Sequence, residues 1–401
     1  MKTSVILLRH LLIIVSLLSS SLVIAEETSP LLLHAARVFD GTSMRTNTSV
    51  LISNGKITQI DNRAAFQSTT AKVIDLGDAT LLAGFIELHA HLGFRHIPAN
   101  TVLRHGITTL RDVGGAVHKP YGGDGSLRVL TSGQIITAPN GYPIPNMGAD
   151  NIAIPVATEA QARQTVRDLI NGGAVVIKVA LEVGNEVGAP WSEHHHGHSP
   201  HTKHGKPPKE MPLLSETILK AIVDEAHQQG RKVTAHLAES KGVKIALNAG
   251  IDEWAHIPCD AIPESLLKKA IAQHVTIVST LDTLSKCTGV AHNAHTWAAL
   301  GGTLLYGAEI AHSDIPWGID AQELNLMMHL ANMSPIEVLQ SATSKAGQYL
   351  NIPLLGTLQS GAPADLIAVK GDPTQNFKVL EYPDLVISGG KVVVNQFEKT
   401  H

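Results

Sequence analysis

Between residues 83 and 350, short apolar runs alternate with longer stretches in which apolar positions recur every three or four residues. The short runs read as strands buried on both faces, because such strands lose the polar alternation of a half-exposed sheet. They are Phe85–His89, Ile107–Asp112, Leu127–Thr131, Val175–Val179, Lys232–His236, Glu253–His256, Thr276–Ser279 and Leu304–Ala308. The longer stretches predict helices, clearest at Glu216–Gln229, Lys241–Asn248, Glu264–Gln273 and Ile336–Tyr349. Ser215 supplies an N-cap for the first of these and Gly230 a stop. Strands and helices alternating eight times predict an α/β fold, a (β/α)8 TIM-like barrel.

The two ends of the chain have a different rhythm. Leu31–Val38, Ser49–Ile60, Val73–Asp75 and Thr80–Leu82 are β-rich runs punctuated by turns such as Ser53-Asn54-Gly55. Asp365–Val369 and Lys391–Val394 resemble them, the second entered through Ser388-Gly389-Gly390. Residues 26–82 and 354–401 therefore predict one small β domain, with 83–353 as the barrel. Residues 1–25 read as a signal peptide: Lys2 and Arg9 precede an apolar stretch from Leu11 to Ile24, and Val23-Ile24-Ala25 offers a cleavage site. The expectation is export, with a periplasmic or secreted mature protein; a retained N-terminal anchor is the alternative. No second apolar stretch of about 20 residues follows, so no stable membrane insertion of the mature protein is expected.

Composition narrows the classes. Charged residues make up 16% of the 401, against about 25% in an average domain. The net charge of −4 is spread without blocks, which gives no reason to expect a nucleic-acid partner. Two cysteines, Cys259 and Cys287, do not make a disulfide framework. A bridge is conceivable because they follow adjacent strands, but buried free thiols are the expectation. Ser192–His204 carries six histidines and interrupts the barrel after its fourth strand. It reads as a solvated insertion, a metal-capturing segment or a lid.

Candidate chemistry sits at the strand ends. His89 and His91, two apart at the end of the first strand, project from one face. His236 ends the fifth strand, His256 the sixth, and Glu309 follows the eighth. In such a barrel these ends face one mouth, where active sites lie. Imidazoles and a carboxylate suit zinc and similar ions. Lys178 lies inside the apolar fourth strand, where an unpaired ammonium costs several kcal/mol, order of magnitude. It is neutralised either by reaction with carbon dioxide or by pairing with Glu309 or Glu182. Arg111 and Tyr306 are further candidates for the mouth: Arg111 either holds a substrate carboxylate or pairs with Asp112 or another buried acid. His292, His295 and His312 carry no expected catalytic part. No Gly-x-Ser-x-Gly elbow, Cys/His pair or Gly-rich nucleotide loop stands out.

The ordered set resembles the amidohydrolase superfamily, in its imidazolonepropionase-like and metal-dependent dipeptidase or carboxypeptidase (prolidase-like) branch. The resemblance is carried by Gly84–His91, Gly106–Asp112, Val176-Ile177-Lys178, Thr234-Ala235-His236, Ala255-His256, Ser341–Ala346 and Gly361–Leu366. It implies a barrel with a small β-sandwich built from both termini and two divalent metals, usually zinc. His89 and His91 would hold a buried metal, His236 and His256 a more exposed one, and a carbon dioxide-derived carbamate on Lys178 would bridge them. The family's metal-binding Asp after the eighth strand falls on Glu309, with Asp314 as a stand-in. Ala308 and Ala311 occupy positions usually Thr and Gly. The implied activity is hydrolysis of an amide or peptide bond in a dipeptide or N-acyl amino acid, with Glu309 handling protons. The alternatives are a hydrolase or deaminase of a cyclic amide or imine, and a weakly active exported metal-binding homologue. A homo-oligomer is compatible with all of these.

Overall fold

The computed structural model describes residues 29–67, 69–184, 186–191 and 210–397. The leader at 1–25 and the histidine-rich stretch at 193–204 lie outside the described residues.

Parallel strands Phe85–Ala90, Ile107–Asp112 and Arg128–Thr131 form one sheet. A second parallel sheet runs in the order Ala153–Pro155, Ile135–Thr137, Val176–Ala180, Lys232–His236, Glu253–Trp254, Thr276–Val278 and Thr303–Leu305. The two meet where the third predicted strand bends. The chain passes from Thr131 through Gly133, at φ +68°, into Ile135–Thr137. A Cβ on Gly133 would lie 2.7 Å from Leu169 and 3.0 Å from Val117, so only glycine makes this corner without displacing its neighbours. Across the bend the Val175 amide donates to the Thr131 carbonyl at 2.9 Å. At the far side Ala90 and Ile310 form a parallel bridge, and the His91 amide donates to the Ile310 carbonyl at 2.9 Å. All eight predicted strands are present, in order, in this TIM-like architecture. The sixth stops at Trp254.

Helices Glu216–Gln228, Ser240–Ala249 and Glu264–Ala272 match their predicted spans to within a residue, and Ser215 caps the first by accepting the Ile218 amide proton. Their buried faces, including Leu219, Ile222, Val243 and Leu267, join Ile177, Val179, Val233 and Ile277 of the strands in one core. The predicted helix Ile336–Tyr349 is two helices, Pro335–Ala342 and Ser344–Tyr349. They break at Thr343 (φ −130°, ψ −98°), against which the backbone of Gly356 packs so closely that a Cβ there would lie 2.3 Å from the Thr343 carbonyl oxygen.

Both ends of the chain build one further sheet of eight strands. Its order is Lys391–Asn395, Leu385–Ser388, Leu366–Lys370, Ala79–Ala83, Leu31–Phe39, Met44–Ser53 and Lys56–Asn62, with Lys72–Asp75 beside Leu31–Phe39. The run Ser49–Ile60 is a hairpin: Asn54 (φ +50°) and Gly55 (φ +73°) take the two left-handed positions of its turn. Leu33, Val38, Val50, Ile57, Leu81, Leu366 and Ile387 form its own core. Gly84 joins this sheet directly to the first barrel strand, where a Cβ would collide with Thr108 at 2.1 Å. Among the described residues no helix is long and apolar enough to cross a membrane.

Two expectations are resolved by packing. Cys259 and Cys287 are joined in a disulfide, not free, because the segments after the sixth and seventh strands bring their Cα atoms within 5.0 Å. Arg111 does not reach the mouth as a substrate clamp. Its guanidinium makes two hydrogen bonds to Glu253, at 2.6 and 3.0 Å, and Nε donates to the Leu88 carbonyl at 2.8 Å. Both partners are buried. Burial pushes the Glu253 carboxyl up, but the adjacent guanidinium outweighs this and holds it below the usual carboxylate range. Glu253→Ala is expected to cost about 3–5 kcal/mol, because the arginine left behind is an uncompensated buried charge; urea unfolding measures it. In the native pair, Glu253's contribution is present above the unfolded carboxylate pKa and is lost as pH falls through the depressed folded value.

Candidate metal centre

Strand geometry brings four imidazoles to one place. His89 Nδ1 donates to the Ala255 carbonyl at 2.7 Å, which leaves Nε2 bare. That Nε2 lies 3.3 Å from His91 Nε2, and His91 Nε2 lies 3.7 Å from Glu309 Oε1. Donor atoms of His89, His91 and Glu309 all fall within 4.8 Å of one another. Two imidazole nitrogens on one tetrahedral zinc would be about 3.3 Å apart, given Zn–N of about 2.0–2.1 Å. His236 Nδ1 and His256 Nε2 face each other at 3.0 Å, a second pair with the same relation. His256 Nδ1 lies 3.0 Å from Thr280 Oγ1 and 3.7 Å from Glu309 Oε2. Glu309 thus reaches both pairs.

Electrostatics favour ligands over cations. Burial holds His89, His91 and His236 well below the usual histidine range, and the charge of Lys178 pushes the same way. His256 is lowered by burial, then by His236 and Lys178. Neutral imidazole is the metal-binding form. Lys178 itself, 1% exposed, has no hydrogen-bond partner for Nζ among the described residues. Burial lowers it to about 7, opposed by the charges of Glu309 and Glu253. Burial also raises Glu309 to about 8, opposed by Lys178 and Arg95. One oxygen of Glu309, Oε2, has no hydrogen-bond partner either. A buried amine and a carboxylate oxygen left unbonded amid four neutral imidazoles suit a site completed by a cation.

The six expected residues, His89, His91, Lys178, His236, His256 and Glu309, are all at this mouth. Asp314 is exposed and, unlike Glu309, is not grouped with His89 and His91; with His312 and Ser313 it lines the cavity beside the turn carrying Glu309. Glu309 sits at φ +62° and Ala311 at φ +111°, so the turn after the eighth strand uses backbone that favours glycine while carrying neither. Tyr306 is not at the mouth. Its hydroxyl accepts the Asp320 amide proton at 3.0 Å and its ring packs edge-on against Phe85. His292 and His295 lie on the helix Val290–Ala299.

All four imidazoles are enclosed: His89, His236 and His256 are 1%, 3% and 1% exposed, and the His91 side chain 13%. Aromatic rings cover His236 and His256. Tyr142 stacks on His236 at 4.4 Å and 15°, while Trp191 meets His236 edge-on at 4.5 Å and His256 at 5.1 Å. Neither aromatic carried a sequence signal, since both come from loops. Glu87, overlooked although it lies within the first motif, accepts the amide protons of His89 at 2.7 Å and of Ala308 at 3.0 Å. It thereby ties the first strand to the turn that carries Glu309.

The sequence model described as the Amidohydrolase family matches residues 80–393. The chain belongs to the amidohydrolase family. It is a hydrolase acting on carbon–nitrogen bonds of the amide kind, with prolidases among its structural relatives. It is 26% identical over 360 residues to an uncharacterised protein of Mycobacterium tuberculosis, covering 83% of this chain and 90% of that one. Ochratoxinase of Aspergillus niger is 27% identical over 306 residues, or 69% of this amidohydrolase and 58% of the relative. The crystal structure of A. niger ochratoxinase superposes with a TM-score of 0.72 at 21% identity, covering 92% of this chain and 96% of that one. A Xaa-Pro dipeptidase with bound methionine gives 0.72 at 22% identity, with 91% and 99% covered.

Proposed function

We propose that this amidohydrolase cleaves an amide or peptide bond in a dipeptide or N-acyl amino acid at a two-metal site. The observation that carries the reading is the pair of imidazole pairs, His89/His91 and His236/His256, all of which feel the charge of the buried, unbonded Lys178 Nζ. The residues fit two divalent ions, Zn2+ by donor chemistry. His89, His91 and Glu309 would hold one, His236 and His256 the other, and Lys178 would bridge them as a carbamate. In that step the neutral amine forms an N–C bond to carbon dioxide and releases one proton, leaving a carboxylate on a long arm. A bound ion pair would supply an acidified water and a polarised carbonyl. The chain's own part is positioning and proton transfer. Glu309 lies 3.7 Å from both His91 and His256, so it can take the water proton and deliver it to the leaving amine. Tyr142 and Trp191 cover His236 and His256 against bulk water.

A cavity of about 250 Å3 beside the turn carrying Glu309 suits a small substrate. Arg95 and Lys286 are in its wall, and both can hold a substrate carboxylate. Arg95→Ala is expected to raise KM by about tenfold or more, as charged hydrogen bonds contribute about 1.5–3 kcal/mol, with kcat changed less; initial rates over a substrate series measure both. Structural relatives named as Xaa-Pro dipeptidase and ochratoxinase support this substrate class. We further propose export after removal of residues 1–25, a closed barrel over 83–353, and a β-sandwich of 26–82 with 354–401. The test is amino acid release from a panel of dipeptides and N-acyl amino acids, with zinc and bicarbonate supplied. Ammonia without amino acid would favour a cyclic amide or imine instead. No turnover on any panel member, together with undiminished metal binding by His89→Ala, would sink the proposal.

A further inference from the structure

Beyond the proposed metal ligands, one buried acid acts on them without a place in the site as drawn so far. Glu182 lies just after the fourth strand, fully buried, where the expectation weighed it only as a partner for Lys178. Its contacts point elsewhere. Oε1 accepts the Gly184 amide proton at 2.7 Å, which fixes the carboxylate to its own loop. Oε2 lies 3.2 Å from His236 Nε2. On the other side of the same ring, Nδ1 lies 3.0 Å from His256 Nε2.

A neutral imidazole has one N–H. With a carboxylate at Nε2, the His236 proton sits there and Nδ1 is bare. Thr280 Oγ1, 3.0 Å from His256 Nδ1, can accept that nitrogen's proton, the tautomer in which His256 Nε2 is bare. In that tautomer pair both facing nitrogens are bare, and their 3.0 Å separation is close to that of two imidazole ligands on one ion. Tyr142 above the ring and Trp191 at its edge leave rotation as the remaining freedom of His236, and Glu182 removes it.

We infer that Glu182 is the positioning residue for the second metal: by accepting the His236 Nε2 proton it turns Nδ1, bare, toward the ion shared with His256. This rests on the two-metal reading above and adds to it a residue that touches neither ion nor substrate. A carboxylate behind a ligating histidine fixes its tautomer and orientation, and losing one weakens metal affinity by about 10–100-fold.

The full chain, stripped with chelator and titrated with Co2+, tests it through the visible spectrum and by direct counting of bound metal. The native chain is expected to take up two ions per chain in separable steps. Glu182→Ala should weaken one step by about 10–100-fold and leave the other in place. Glu182→Gln, the same shape with one acceptor oxygen kept, should fall between. Thermal melting of the metal-free Gln variant, expected to match the native chain, keeps the result readable should the alanine variant fail to fold. Two native steps that both survive unchanged in the Ala and Gln variants would overturn the role of Glu182 alone. A native chain that takes up a single ion would overturn the two-metal reading, and this inference with it.

Discussion

Lys178→Ala is expected to reduce bound metal from two ions per chain to one or fewer and to lower kcat/KM by at least about 100-fold, the scale of a misplacement near 1 Å. The reason lies in what surrounds the side chain. Nζ is buried, unbonded and felt electrostatically by His89, His91, His236, His256 and Glu309 alike. Burial brings its pKa to about 7, so near neutral pH much of the amine is unprotonated and open to carbon dioxide. Native metal uptake should therefore depend on bicarbonate, and the alanine variant's should not. Short carboxylates such as acetate or propionate should partly restore the second ion in Lys178→Ala by filling the space the arm leaves. Metal analysis of the purified variant decides the matter: an unchanged stoichiometry rules the bridging role out.

Glu309→Gln is expected to lower kcat by about 10²–10⁴-fold, the usual share of a general acid–base group, with KM little changed. Glutamine keeps the shape but cannot carry a proton from water to the leaving amine. Glu309→Asp is the more telling variant. Both glutamate oxygens reach histidines at 3.7 Å, one in each pair. Shortening the side chain by a methylene withdraws the carboxylate by roughly 1 Å, and a loss of about 100-fold follows. A rate gain in Glu309→Asp would instead mean that the native glutamate detunes the site, and would favour the weakly active metal-binding alternative. Single-turnover kinetics on the fastest panel substrate distinguish the two outcomes.

The strand ends were legible because a buried parallel strand is read from composition and length alone. Val176–Ala180 and Lys232–His236 leave little ambiguity, and a polar residue at a C-terminal strand end such as His236 is expected at the mouth. Lys178 was legible for a thermodynamic reason: an ammonium in an apolar strand demands an explanation wherever the strand lies. The split of Ile336–Tyr349 at Thr343 was not, because Gly356, which packs against Thr343 there, comes from a later turn.

The cysteines and Arg111 show the same limit. Nothing in the spacing of Cys259 and Cys287 decides between thiols and a bridge; the distance between two loop Cα atoms does. Arg111 had several possible acids, and Glu253 takes it because the second and sixth strands place the two side chains across the barrel interior.

By itself, the sequence determined the order of elements and marked the strand-end histidines and Lys178 as candidates, since both depend on local periodicity and on the cost of burying a polar group. Only the tertiary structure decided which nitrogens face each other, that Glu309 and not Asp314 stands among them, that Tyr142 and Trp191 enclose His236 and His256, and that Glu182 backs His236. Those are contacts between loops distant along the chain. A hydrogen bond between them depends on position to within a few tenths of an ångström, which residue identity and spacing do not encode locally.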